Sequence, residues 1–148
     1  MYRNLLIPVD DTEQSYGAVG VAGLLAAASG ARLTLFHVVR PAPVAVADMA
    51  TQRGLVQVPR AEETRPLFGR CQQILADRGL RAEEKVATSR YVAEAILKEA
   101  KAGGYDGIVI GHRGRQDLKR LLLGSVANGV LVEAGCTTIL VHVPEGSG

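Results

Sequence analysis

Tryptophan is absent from this chain, phenylalanine occurs twice, and aromatic residues make up only 4% of it. That scarcity removes the stacking platforms on which single-strand nucleic-acid binders hold bases. Charge of one sign is also lacking. The formal net charge is +2 and the charged residues are mixed along the sequence, so no strong basic field argues for nucleic acid as a partner. Two cysteines, Cys71 and Cys136, are too few for a disulfide framework and read as small buried hydrophobes. Three scattered histidines, His37, His112 and His142, do not make a metal site. Long membrane-grade runs are missing too. Residues Gln14 to Ala31 are uncharged, but they include Ser15, Tyr16, Ser29 and four glycines among mostly alanine-grade positions, and a buried helix is the better reading. The opening Met-Tyr-Arg-Asn leads into an apolar stretch too short for a signal peptide, so no membrane partner and a cytoplasmic location are expected.

What is present is a chain of 148 residues, 47% of them hydrophobic, enough to bury the core of one domain spanning 1–148. Leu5 to Val9 is an apolar strand that ends at the turn and capping residues Asp10, Asp11 and Thr12. A helix is expected from about Glu13 to Ser29, stopped by Gly30, with Gly17, Gly20 and Gly23 allowing close approach of a neighbour. Leu33 to Val39 forms the second strand. Residues 40–60, with Pro41, Pro43 and Pro59, resist regular structure and read as a variable loop. Leu67, Cys71, Ile74 and Leu75 mark a second helix stopped by Gly79, and Arg81 to Thr88 is a less apolar strand suited to a sheet edge. Ser89 is placed to cap a third helix carrying Val92, Ala95, Ile96 and Ala100. Tyr105 to Ile110 is a fourth strand, a fourth helix ends at Gly135, residues 137–143 make a fifth strand, and 144–148 form a flexible tail. Strands alternating with helices specify an α/β fold: a doubly wound parallel sheet with right-handed crossovers and helices on both faces.

The stretch that carries chemistry follows the fourth strand. Gly111, His112, Arg113 and Gly114 open a loop that leads to Gly124, Ser125 and Val126 at the start of a helix. Strand, glycine loop and helix, in that order, are what anion binding needs: glycines that can take positive φ, then unpaired N–H groups and a hydroxyl at a helix N-terminus. Arg113, Arg115, Lys119 and Arg120 lie in or beside the loop, where they either offset phosphate charge or are merely solvated. No lysine precedes Ser125, so this is not a Walker loop. The competing reading is an ordinary connection with glycine turns. Asp10, at the carboxyl end of the first strand, is either a helix cap or a carboxylate that accepts hydrogen bonds from ribose hydroxyls. His112 has no nucleophile or carboxylate evident beside it and would titrate near neutrality if exposed; a backbone contact to a ligand suits it better than acid–base work. No catalytic residue is assigned.

The spacing Gly-x2-Gly-x9-Gly-Ser, matched by Gly111, Gly114, Gly124 and Ser125, resembles the nucleotide motif of the ATP-binding branch of the universal stress proteins. The flanks Ile108-Val109-Ile110 and Leu121 to Ala127 are similar as well, and the resemblance covers almost the whole chain, least between Arg40 and Arg60. It implies a five-stranded Rossmann-like sheet in the order 3-2-1-4-5, an order that periodicity alone does not supply. It also implies an adenine pocket at Pro8, Val9 and Val38, with Ile110 beside the glycine loop and a ribose contact at Asp10. The ligand implied is ATP, AMP or another adenine nucleotide, with magnesium or manganese arriving on its phosphates, bound far better than it is turned over. Further, the family's homodimer, paired through the strand at 138–143, is implied. Two other functions remain open: an adenylating or slowly ATP-hydrolysing enzyme, and an interaction module that holds no nucleotide. The adenylating group carries a Ser-Gly-Gly type loop where this chain has Pro8-Val9-Asp10-Asp11, and the ligand-free branch lacks the glycine motif.

Overall fold

Side-chain alternation along the first strand, β1 (Asn4–Pro8), decides how the layers assemble. Leu5 and Ile7 enter the core on one side of the sheet and Leu6 the core on the other, and all three are fully buried. A strand that must bury both faces has to lie inside a sheet covered on both sides. The computed structural model of the chain describes residues 2–41, 61–112 and 124–143. Within them β1 is central in a five-stranded parallel sheet with β2 (Arg32–Val39), β3 (Glu83–Thr88), β4 (Gly107–Gly111) and β5 (Thr137–Val141), in the order β3-β2-β1-β4-β5. The implied order is the one observed. The alternation continues outward from β1: Leu33, Leu35 and Val109 join the core of Leu5, while Phe36, Ile108 and Ile110 join that of Leu6.

Four helices cover the faces: α1 (Glu13–Ser29), α2 (Ala61–Ala76), α3 (Val92–Ala102) and α4 (Ser125–Glu133). Tyr16, Val19, Ala22 and Ala26 of α1 and Phe68, Cys71 and Leu75 of α2 fill one core; Ile96 and Ala100 of α3 and Val130 of α4 fill the other. Helix α1 has the expected bounds. The Thr12 hydroxyl accepts from Ser15 N–H at 3.2 Å, and Gly30, at φ 73°, ends the helix by donating its N–H to the Ala26 carbonyl at 2.7 Å. Burial pushes the Cys71 thiol up to about 12, so it stays protonated and behaves as the small hydrophobe expected.

Several boundaries differ from the sequence expectation. Helix α2 ends at Ala76, ahead of the expected stop at Gly79, and contains Pro66, whose lost bond and ring crowding are offset by the packing of Leu67, Phe68 and Cys71 into the core. Strand β3 starts at Glu83 rather than Arg81: the Gln72 side chain takes both backbone groups of Ala82, accepting from its N–H at 3.0 Å and donating to its carbonyl at 2.7 Å. Ser89 does not cap α3 itself, since the cap residue is Tyr91; its hydroxyl accepts the Tyr91 N–H at 3.0 Å just ahead of the helix. Helix α4 stops at Glu133, where Ala134 turns extended at ψ 133°, and not at Gly135. Strand β5 ends at Val141. Residues 42–60 of the expected variable loop and the 144–148 tail lie outside the described residues.

The three α1 glycines are not equivalent. A Cβ at Gly17 would lie 2.6 Å from Val143 Cγ2, whereas one at Gly20 would meet nothing within 4 Å. Gly20→Ala is therefore expected to stabilise the fold by about 1 kcal/mol, since alanine is the better helix former and no neighbour has to move. Gly17→Ala is expected to destabilise it by about 1–3 kcal/mol through overpacking. Thermal unfolding of the two variants, with Tm moving in opposite directions by a few degrees, checks both.

Candidate functional site

The parallel ladder between β1 and β4 pairs Leu5 with Gly107 and Leu6 with Ile108, and the chain leaves these two neighbours toward opposite edges of the sheet. Such a reversal point opens a crevice beyond the carboxyl ends of the strands. A cavity of about 430 Å³ lies there. Its wall takes Pro8, Val9 and Asp10 from the end of β1, Val38 from β2, Ile110, Gly111 and His112 from β4, and Gly124, Ser125 and Val126 from the start of α4. All ten are residues singled out in the sequence. Arg113, Gly114, Arg115, Lys119 and Arg120 lie outside the described residues.

Gly111 performs a different task from the one expected. Positive φ among the described glycines occurs at Gly30, Gly79 and Gly104, and Gly111 is instead the last residue of β4. What it supplies is space, because a Cβ there would overlap the backbone carbonyl of Gln14 and crowd the N–H of Ser15 at 2.9 Å. The first turn of α1 thus packs directly on β4. Gly124 is the extended N-cap of α4, at φ −60° and ψ 153°, and its carbonyl accepts the Asn128 N–H at 2.9 Å. The amides that follow it have no acceptor within their own helix, so the α4 end of the cavity is a wall of donors with the positive end of a helix dipole behind it.

The β1–α1 turn is a small hydrogen-bonded unit. Asp10 N–H donates to Ser15 Oγ at 2.8 Å, Thr12 Oγ1 donates to Asp10 Oδ1 at 2.5 Å, and Thr12 N–H donates to the Asp10 carbonyl at 2.9 Å. Asp10 itself is exposed, and its carboxylate helps to shape the turn by accepting from Thr12. Beyond the turn, Tyr16 Oη donates to Asp11 Oδ1 at 2.7 Å, and the Arg70 guanidinium from α2 sits 4.0 Å above the Tyr16 ring centroid. Burial first, and the Asp11 bond second, push the Tyr16 hydroxyl up to about 12, which keeps it a donor at any ordinary pH. The accompanying Arg70–Glu13 ion pair, 3.4 Å long between side chains 54% and 73% exposed, adds little stability. Stacking on Tyr16 contributes more, about 0.5–1 kcal/mol.

Sequence reasoning missed Thr12, Gln14, Ser15, His37 and Arg40 as parts of the wall. His37 lies in β2, and its Nδ1 donates to the Val9 carbonyl at 2.8 Å. With Val9 N–H donating to Phe36 at 2.9 Å, the Val9 backbone is already tied into the sheet, and one carbonyl lone pair remains for a ligand. Arg40 is the cation that the described wall supplies. His37 adjoins Val38 in β2 and Arg40 follows the strand's last residue, so it is the alignment of β2 with β1 that brings both to the wall.

His112 was expected in an open loop and is instead 2% exposed. Its N–H extends the β4–β5 ladder to the Val141 carbonyl at 3.1 Å, its ring stacks on His142 with centroids 4.9 Å apart, and neither ring nitrogen has a hydrogen-bond partner among the described residues. Burial first, and the neighbouring His142 second, hold its pKa below the usual histidine value. Above about pH 6.5 the ring is neutral in folded and unfolded chains alike; below it the unfolded chain takes up a proton that the folded one resists. Stability is therefore expected to fall on acidification below pH 6.5, with this residue contributing to the decline. In denaturant titrations from pH 7 to 5, His112→Phe should flatten that decline.

The family model described as the universal stress protein family matches residues 1–142, and the chain belongs to that family. It is 30% identical over 152 residues to universal stress protein YxiE of Bacillus subtilis, covering 96% of this chain and 100% of the relative. Among solved structures it is similar to the universal stress protein UspA from Lactobacillus plantarum, with a TM-score of 0.76 at 23% identity over 95% of this chain and 97% of the other. A universal stress protein in complex with cAMP superposes with a TM-score of 0.69 at 22% identity, over 95% and 97% of the two chains. One from Archaeoglobus fulgidus in complex with dAMP does so at 0.67 and 18%, over 95% and 98%. Those two likenesses establish the Rossmann-like α/β fold, as the order of the sheet does. Among the described residues no helix is long and apolar enough to cross a membrane.

Proposed function

We propose that this protein is an adenine-nucleotide-binding regulatory module that takes ATP or AMP in the cavity at the β1/β4 reversal point. The observation that carries the reading is the convergence of Asp10, Gly111 and the donor-rich start of α4 on one 430 Å³ space. In it the apolar Pro8, Val9, Val38 and Ile110 receive the base, the Asp10 carboxylate accepts from the ribose hydroxyls, and the amides of Gly124, Ser125 and Val126 face the phosphates. Arg113, Gly114 and Arg115, which lie outside the described residues, are assigned to the phosphates on the motif spacing alone. The two family members bound to cAMP and dAMP support the choice of adenine. Magnesium or manganese enters on the phosphates, since no cluster of three metal-ligating side chains occurs among the described residues. The module binds rather than turns over, with any hydrolysis far below about 1 per second. Two copies pair through β5, whose partly buried Ile139, Leu140 and Val141 present a free ladder on the side away from β4.

Native mass spectrometry of the freshly purified protein, followed by acid release, is expected to yield bound ATP or AMP, and calorimetry with added nucleotide to give saturable binding. Asp10→Ala should weaken ribonucleotide binding about tenfold with the fold intact, the loss expected of a charge-assisted hydrogen bond. A protein that purifies empty and ignores ATP, AMP and their magnesium complexes would refute the assignment. Light scattering should give twice the chain mass at micromolar concentration; a single-chain mass removes the dimer and leaves the ligand site standing.

A further inference from the structure

We infer that Tyr16 and Arg70 are positioning residues for the ligand site: α2, through Arg70, holds the Tyr16 ring, and Tyr16 holds the turn that presents Asp10. This rests on the nucleotide reading above and adds to it a control from outside the pocket. Within residues 10–15 the bonds between Asp10, Thr12 and Ser15 are local, and Glu13 meets Arg70 of α2 at 3.4 Å between largely exposed side chains. Those bonds set the shape of the turn, and the approach of Gln14 to Gly111 sets its distance from β4; neither holds the Asp11 side chain. The Asp11 side chain is held from α1, where Tyr16 Oη donates to Asp11 Oδ1 at 2.7 Å. Tyr16 is 7% exposed and packs in the α1–α2 core, so its hydroxyl is a fixed point. Its ring is clasped from α2 by Arg70 at 4.0 Å, and Arg70 also reaches Glu13, the first residue of α1, at 3.4 Å.

Asp11 is then the lever rather than a ligand. It is bonded on one side to Tyr16 and joined through the backbone to Asp10, whose Oδ1 already accepts from Thr12. Fixing Asp11 restricts where the Asp10 carboxylate can point, and a carboxylate that must meet two vicinal hydroxyls tolerates little misplacement. Arg70 and Tyr16 are not among the residues that line the cavity, so they act through ones that are, Asp10 foremost.

The test is the preference for ribose over deoxyribose, measured by calorimetry with ATP and 2′-deoxy-ATP on Tyr16→Phe, Arg70→Gln, Asp10→Ala and the Tyr16→Phe/Asp10→Ala double variant. Tyr16→Phe keeps the ring and its packing, and Arg70→Gln changes a half-exposed side chain, so a Tm close to that of the unaltered protein is expected for at least one of them. The unaltered protein should prefer ATP by about tenfold, Tyr16→Phe and Arg70→Gln should reduce that preference to roughly two- to threefold, and in the Asp10→Ala background Tyr16→Phe should have no further effect. Loss of affinity for both nucleotides alike, or an undiminished preference in both single variants, overturns the positioning role and leaves the nucleotide site in place. Absence of binding to either nucleotide by the unaltered protein overturns the site and the positioning role together.

Discussion

The site depends on one close approach. The first turn of α1 lies so near β4 that residue 111 has no room for a side chain, with the Gln14 carbonyl occupying the volume a Cβ would need. Because of that contact, the end of β1, the start of α1 and the end of β4 become a single wall instead of three separate loops. A methyl group at 111 would push α1 outward, and Asp10, Thr12 and Ser15 would move with it, since their mutual bonds bind the turn to the helix. The crevice at a strand-order reversal is common to doubly wound sheets, but its width here is set by an absent side chain.

Around that contact the polar groups are disposed economically. Thr12 caps α1 and steadies Asp10 at once; Ser15, buried in the helix, accepts the Asp10 amide. His37 ties β2 to Val9, while Asp106 at the opposite end of the sheet accepts from the amides of Arg3 and Asn4 at 2.8 and 3.1 Å and so fixes how β1 enters. Bonds of this kind add little net free energy each, yet a buried donor left without its acceptor is costly, so together they select one arrangement.

Much of this was legible in the residues. The apolar runs of β1 and β4 declared their double burial, and the exposed β3, with Glu83, Glu84 and Lys85, declared an edge. Of the ten wall residues named, Asp10, Gly111 and the glycine–serine helix start are local patterns, whereas Pro8, Val9 and Val38 follow from the family resemblance. What stayed hidden was set by tertiary contact. Gly111 looked like a loop glycine because sequence does not show that another backbone lies against it. His37 and Arg40 sit in or just past an ordinary strand, and only the parallel alignment of β2 with β1 brings them to the rim. The onset of β3 was displaced by a glutamine on α2, ten residues away, that competes for the backbone of Ala82.

The order of the strands also grades the sheet in time. With β1 in the middle and fully buried while β3 lies at the margin with most of its residues in contact with solvent, amide protons should leave the two at very different rates. Those of β1 exchange with solvent water only when the whole domain opens, whereas those of β3 escape through local fraying. The cavity stands on the slow part of this gradient, at β1 and β4, and borrows only its flank from β2. A molecule held there is therefore retained or released by the motions of turns and helix ends, while the floor beneath it persists for the lifetime of the folded chain.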